Sequence, residues 1–204
     1  MASDVSICNQ ALSWLGGSLI TSLDDDINEA KVCKANYADI RDAVLEAHDW
    51  TFAIGRFDLP KSATPPVNGY VNAFPLPPDV LRVMDFNNGE DWRIEGTAIV
   101  TNEAAAKIRA VVRITDPNRF SALFVQALAA RLAADLAITL THSMKLQKQY
   151  YAIYSDKMNE AFTNDGMQGK SRKITSSWLR GSRYSGSSLA GPTVGSSSKV
   201  TPGG

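Results

Sequence analysis

Catalysis needs reactive groups held in tight geometry: a nucleophile with a base and an orienter, a set of metal ligands, or a cradle for phosphate. Residues able to do such chemistry are sparse here. The two histidines stand apart, His48 before Asp49 at the end of a predicted helix and His142 near a helix junction. A lone histidine at a helix end is more often structural than catalytic. Cys8 and Cys33 fall on apolar faces of predicted helices with no histidine cluster beside them. They read as small core residues, with a disulfide as the alternative, and not as zinc ligands. Gly16-Gly17 follows a helix rather than a strand and lacks the lysine of a phosphate loop. No Gly-x-Ser-x-Gly elbow stands on a strand-to-helix turn; Arg180-Gly181-Ser182 and Gly186-Ser187-Ser188 lie near the C-terminus with no scaffold to hold a nucleophile. Asp24-Asp25-Asp26 lacks the spacing of a calcium loop and suits the positive N-terminal end of a helix instead. Glu90 and Asp91 read as solvated loop acids. The sequence predicts no catalytic, cofactor-binding or metal site, and no enzyme.

What stands out is a change of character near Gly166. Of the 204 residues, those from 166 onward are rich in Gly, Ser and Thr and contain no Asp or Glu. They carry Lys170, Arg172, Lys173, Arg180, Arg183 and Lys199, six of the 21 basic residues, so a formal net charge of zero hides an acidic body and a basic tail. Such asymmetry points to a tail that seeks an acidic partner, either nucleic acid or an acidic protein surface. The plainer alternative is that the charges only keep the segment soluble. With too few apolar groups to offset the entropy of ordering, the segment is expected to be mobile when alone. Trp178, Leu179 and Tyr184 sit inside it. Trp, Tyr and Arg dominate binding energy at interfaces, so these residues read as anchors and the cations as steering charges. Six cations over so long a stretch are sparse for nucleic-acid binding, and the last fifteen or so residues read as a solvated terminus.

The rest of the chain is long enough for one well-buried core. Ser3 or Asp4 can cap a first helix over residues 4–15, with Val5, Cys8, Leu12 and Leu15 on one face and Gly16-Gly17 at its end. A second helix is expected over 26–49, led by the three acids, with Ile27, Ala30, Cys33, Tyr37, Ile40, Val44 and His48 as its buried stripe. Alternation then replaces helical spacing. Strands are expected in 50–59, 70–74, 80–86, 92–95, 98–101 and 108–114, with Asn87-Asn88-Gly89 and Gly96 at turns. These make a small antiparallel sheet inserted between helices. Asp116-Pro117 restarts a helix over 117–139, rich in alanine and so open to close approach by its neighbours. A fourth helix runs to about Asn164, with Leu146, Tyr150, Ile153, Met158 and Phe162 inward, and Asp165-Gly166 stops it. The predicted organisation is residues 1–49 as the first half of a helical body, 50–115 as the β insertion, 116–165 as the second half and 166–204 as a basic arm. The fold class is mainly α, a bundle of about four helices with an inserted antiparallel β subdomain. No apolar stretch reads as a membrane span, because residues 120–140 are interrupted by Gln126, Arg131 and Asp135. The first residues lack a secretory signal, so synthesis in a reducing cytosol is expected.

In order and spacing the chain resembles the tail tubular protein A and gp4-like head-to-tail adaptor (connector) family of short-tailed phages. The resemblance lies in Asn9-Gln10-Ala11-Leu12, Leu15-Gly16, Ile20-Thr21-Ser22-Leu23, Ala30, Cys33, Tyr37, Arg41 and Trp50-Thr51-Phe52-Ala53. It continues through Leu76-Pro77-Pro78-Asp79-Val80-Leu81-Arg82-Val83, Trp92-Arg93-Ile94-Glu95-Gly96, Ala98-Ile99-Val100-Thr101 and the apolar helix after Phe120. It covers about residues 3–165; the tail matches only in type. The resemblance implies a virion protein made in the bacterial host cytoplasm. Such a protein would sit as a ring, twelve copies in that family, beneath the portal protein. It would extend the channel through which double-stranded DNA passes without sequence-specific binding, and it would present a surface to the tail nozzle or tail hub. Lys170, Arg172, Lys173, Trp178, Leu179, Arg180, Arg183 and Tyr184 would then form a portal-docking arm. An acidic body would suit such a conduit by repelling phosphates. The competing reading is a DNA-binding packaging or regulatory protein that uses the same basic tail.

Overall fold

The computed structural model of the chain describes residues 2–67, 69–87 and 91–167. Among them the fold is mainly α: four helices, with two small antiparallel sheets inserted between the second and third. Helix α1, Asp4–Leu15, starts at a capping box. The Ser3 hydroxyl accepts from the Ser6 backbone, and the Ser6 hydroxyl accepts from that of Ser3, so two donors with no helical partner are satisfied. Gly16, at φ +72°, ends the helix in the left-handed conformation that glycine adopts without strain. The buried face is Ile7, Cys8, Ala11 and Leu12; Val5 and Leu15, expected inside, lie at its rim.

Helix α2, Asn28–Glu46, begins two residues later and ends three earlier than the spacing predicts. The three acids do not cap it. Asp25 folds back and accepts from the backbone N–H of Thr21 at 2.7 Å and of Ser22 at 3.1 Å, and from the Thr21 hydroxyl. Those bonds, the Thr21 backbone foremost, hold its carboxyl below the usual carboxylate range. Asp24 and Asp26 pair with Lys34 and Lys31. The buried stripe is Ala30, Cys33, Tyr37, Ile40, Arg41, Val44 and Leu45, while Ile27 is exposed. Cys8 and Cys33 are free thiols in the core. The neighbouring Cys33 thiol and burial push Cys8 far above its ordinary pKa.

Asp116-Pro117 opens only a short 3-10 turn, Pro117–Arg119, with Asp116 accepting from the Asn118 N–H. Phe120 is extended, and Ser121 then caps helix α3, Ala122–Thr141, by accepting from the Phe124 N–H. The helix therefore starts later than the Asp-Pro signal implies. His142, at φ +53°, breaks the chain before α4, Met144–Met167. That helix runs through Asp165 and Gly166 rather than stopping there. By length and hydropathy α3 could cross a membrane, contrary to the sequence expectation. Here it is the central helix, packed against α1, α2 and α4, with ten residues buried including Phe124, Leu128, Leu132 and Leu136. Its small alanines let those neighbours come close.

The insertion holds β1 (Ile54–Leu59), β2 (Asn72–Pro75), β3 (Val80–Phe86), β4 (Arg93–Glu95), β5 (Ala98–Thr101) and β6 (Ala106–Val112). They form two three-stranded sheets, β1-β6-β3 and β2-β5-β4, rather than the one expected. Alternation along each strand separates the faces. Leu59, Val83, Phe86, Ile108 and Ala110 meet Phe74 and Ile99 of the second sheet in a core of their own. Val111 turns the other way into the helical core. Phe124 lies fully buried where the two parts of the chain meet and touches the rings of Trp50, Phe52 and Phe120. Phe124→Ala is expected to lower the free energy of unfolding by about 3–5 kcal/mol, read from urea denaturation.

Candidate docking surface

The predicted docking residues, Lys170, Arg172, Lys173, Trp178, Leu179, Arg180, Arg183 and Tyr184, lie outside the described residues. What the structure does describe is the helix that leads to them, and how its end is fixed. Asp165, two residues before the last described one, is only 5% exposed. Its two oxygens accept from the Thr51 backbone N–H at 3.0 Å and from the Thr51 hydroxyl at 2.7 Å. The Nε2 of His48 stands 4.0 Å from the same carboxylate. The His48 ring stacks on Phe162 at 4.1 Å between centroids and meets the edge of Trp50 at 5.0 Å. Trp50 is itself fully buried and donates its indole N–H to the Val44 carbonyl at 3.0 Å.

Thr51, Asp165 and His48 look at first like a hydroxyl–carboxylate–imidazole set. The order of contacts gives them a different role. The Thr51 hydroxyl and backbone N–H both donate to the one carboxylate. A buried carboxylate that accepts two such bonds is a tie between segments far apart in sequence. It fixes the end of α4 to the loop after α2. Sequence reasoning read Asp165 as a helix stop and so missed it. The signal was there: Met158, Ala161, Phe162 and Asp165 follow the 0, 3, 4, 7 spacing of one buried helical face.

A second set of polar ties joins the helices to the β insertion. Arg82 donates to the Glu46 carbonyl at 3.0 Å and pairs with Asp49. Arg113 bonds Asp42 at 2.6 Å and stands 3.8 Å from Asp79, and Asp42 also holds Arg41. The bond to Asp42 raises the Arg113 pKa further. Beside these ties lies a surface depression of about 630 Å³ lined by Ala43, Glu46, Ala47, His48, Asp49 and Arg82. A groove of about 410 Å³ continues past Glu46 and Arg82 to Leu76, Pro77, Pro78 and Ile94. On the outer side of α3 and α4, the Arg131 guanidinium lies 5.1 Å and 5.4 Å from the Tyr151 and Tyr154 rings and bonds Asp135. Burial opposes the Arg131 charge, but Asp135 together with Tyr151 and Tyr154 keeps the pKa raised. Among the described residues no cluster of three His, Cys, Asp or Glu side chains could hold a metal ion.

No protein-family model matches this chain, and no curated protein matches it.

Removing the Asp165 carboxylate leaves the Thr51 donors without that partner. Asp165→Ala is expected to cost about 1–3 kcal/mol in chemical denaturation. In a double-mutant cycle with Thr51→Val the two losses should be clearly non-additive. Additive losses would mean the tie contributes nothing.

Proposed function

We propose that the chain is a structural virion protein, a head-to-tail adaptor that docks as a ring on a portal. In this reading it lengthens the DNA channel and offers the attachment surface for a tail nozzle or hub. The observation that carries the reading is a change of character at one point of the chain. A helix tied to the body as far as Asp165 is followed in sequence by a stretch with basic and aromatic residues and no acid. A firm body with an adhesive terminal segment is what a docking protein needs, since a segment that orders on binding can cover a large surface. The order of elements in the resembled family, helices on either side of a β insertion, agrees with the order found here. In that family the ring has twelve copies, and its partners are the portal, the tail hub or nozzle, and passing DNA. No cofactor and no chemical step belong to the proposal.

The basic tail also favours a second reading, a DNA-binding packaging or regulatory protein. Counterion release separates the two. DNA binding through Lys and Arg weakens steeply as salt rises, whereas docking led by Trp178, Leu179 and Tyr184 depends far less on it. Removing residues 168–204 is expected to leave the far-ultraviolet spectrum and melting of the body unchanged and to abolish portal binding. Trp178→Ala alone should weaken docking by about 2 kcal/mol, near thirtyfold in Kd, as measured by interferometry on an immobilised portal ring. Full binding by the truncated chain would defeat the adaptor reading.

A further inference from the structure

The sheet β1-β6-β3 has two edges, and they differ. Edge β3 is irregular, with register shifts between Val80 and Arg82 and between Val83 and Asp85, and Arg82 is drawn off to the end of α2. Bulges of that kind protect an edge from further pairing. Edge β1 has no such guard. It pairs with β6 in unbroken register from Ile54↔Val111 to Leu59↔Ala106, and within its sheet it pairs on that side alone. Its outward side chains, Arg56 and Asp58, are exposed. Across the sheet Arg56 stands directly opposite Arg109, Asp58 opposite Lys107, and Asp85 opposite Arg109 on the far side. Like charges directly opposite one another are destabilising. Among the described residues no ion pair within 4.0 Å joins any of these five, and the Nε of Arg109 is buried with no hydrogen-bond partner. A depression of about 300 Å³ lies over them.

We propose that β1 pairs antiparallel with β1 of a second copy of this chain, across a two-fold axis at Phe57, and so joins two sheets into one of six strands. The strand's own sequence selects this register. With Phe57 opposite Phe57, Arg56 faces Asp58 of the second copy and Asp58 faces its Arg56. Shifting by two residues sets Arg56 against Arg56 or Asp58 against Asp58. Shifting by one puts the charges on opposite faces. Pro60 has no N–H to extend the ladder, which limits the pairing to the stretch centred on Phe57. Charges on an edge strand ordinarily keep other strands away; here their order is self-complementary. The new row places a carboxylate on the open side of Arg56, whose partner across the ladder on the other side is Arg109. A two-fold contact is closed, so it makes pairs and not rings, and it is independent of the adaptor reading.

The test is sedimentation of the full chain at low and high salt, from about 10 µM to 1 mM. A concentration-dependent mass of two chains, weakened by salt, is expected. Arg56→Asp and Asp58→Arg should each weaken pairing by at least about tenfold. Mixing the two variants should restore it, because each then presents the charges the other lacks. The double variant should pair with itself. Thermal melts of every variant report whether the fold is retained, and the mixing result does not depend on the double variant folding. A monomer throughout, a dimer that neither single variant weakens, or a mixture that stays monomeric would each overturn the proposal.

Discussion

Trp50 sits where α2 has just ended and the β insertion is about to begin, and its indole is wholly withdrawn from water. Around it meet Phe52 from the next turn, Phe124 from α3, Phe162 from α4 and the His48 ring. Burying so large a side chain is among the strongest local stabilisations a core offers, provided its N–H finds an acceptor, and Val44 supplies one. The consequence is topological. The chain leaves the helical body after residue 50 and returns to it near Ile114, and closing that long excursion costs entropy. The aromatic cluster offsets that cost by joining the point of departure to helices that come after the return. Asp165 and Thr51 extend the same junction to the last turn of α4.

Polar ties then set how the insertion stands against the helices. Arg82 and Arg113 come from the β strands and their flanks, and Asp42, Glu46 and Asp49 from α2 and its end. Exposed ion pairs contribute little to stability one by one. Their value here is directional, because each fixes one contact point between two separate hydrophobic cores.

Much of this was legible in the sequence. Ser3 and Gly16 marked both ends of α1, and the hairpin at Gly96 was plain from its glycine and flanking apolar alternation. Fold class followed from spacing alone: helical periods, then alternation, then helical periods again. The misreadings share one physical cause, that a local signal does not name its partner. Alternation identified the strands but not which would pair, so two sheets were read as one. Asp25 resembled a helix cap yet bonds the loop before it. Asp116 does cap, but only a short turn, because Phe120 leaves helical geometry to reach the aromatic cluster. Asp165 had the composition of a helix end and the spacing of a buried face, and burial won because Thr51, over a hundred residues away, satisfies it. The proposed docking residues were legible only as composition, and they lie outside the described part of the chain.

The body is locked at one aromatic junction, and α4 is held to that junction near its end. The adaptor proposal adds to this body a docking segment that begins after α4 in the sequence. Electron microscopy of the full chain mixed with its cognate portal ring tests it most directly. One defined complex is expected, with a whole number of adaptor chains per portal subunit and density for residues 170–184 against the portal surface. Free portal rings beside unbound chain, or variable decoration with no fixed stoichiometry, would contradict it.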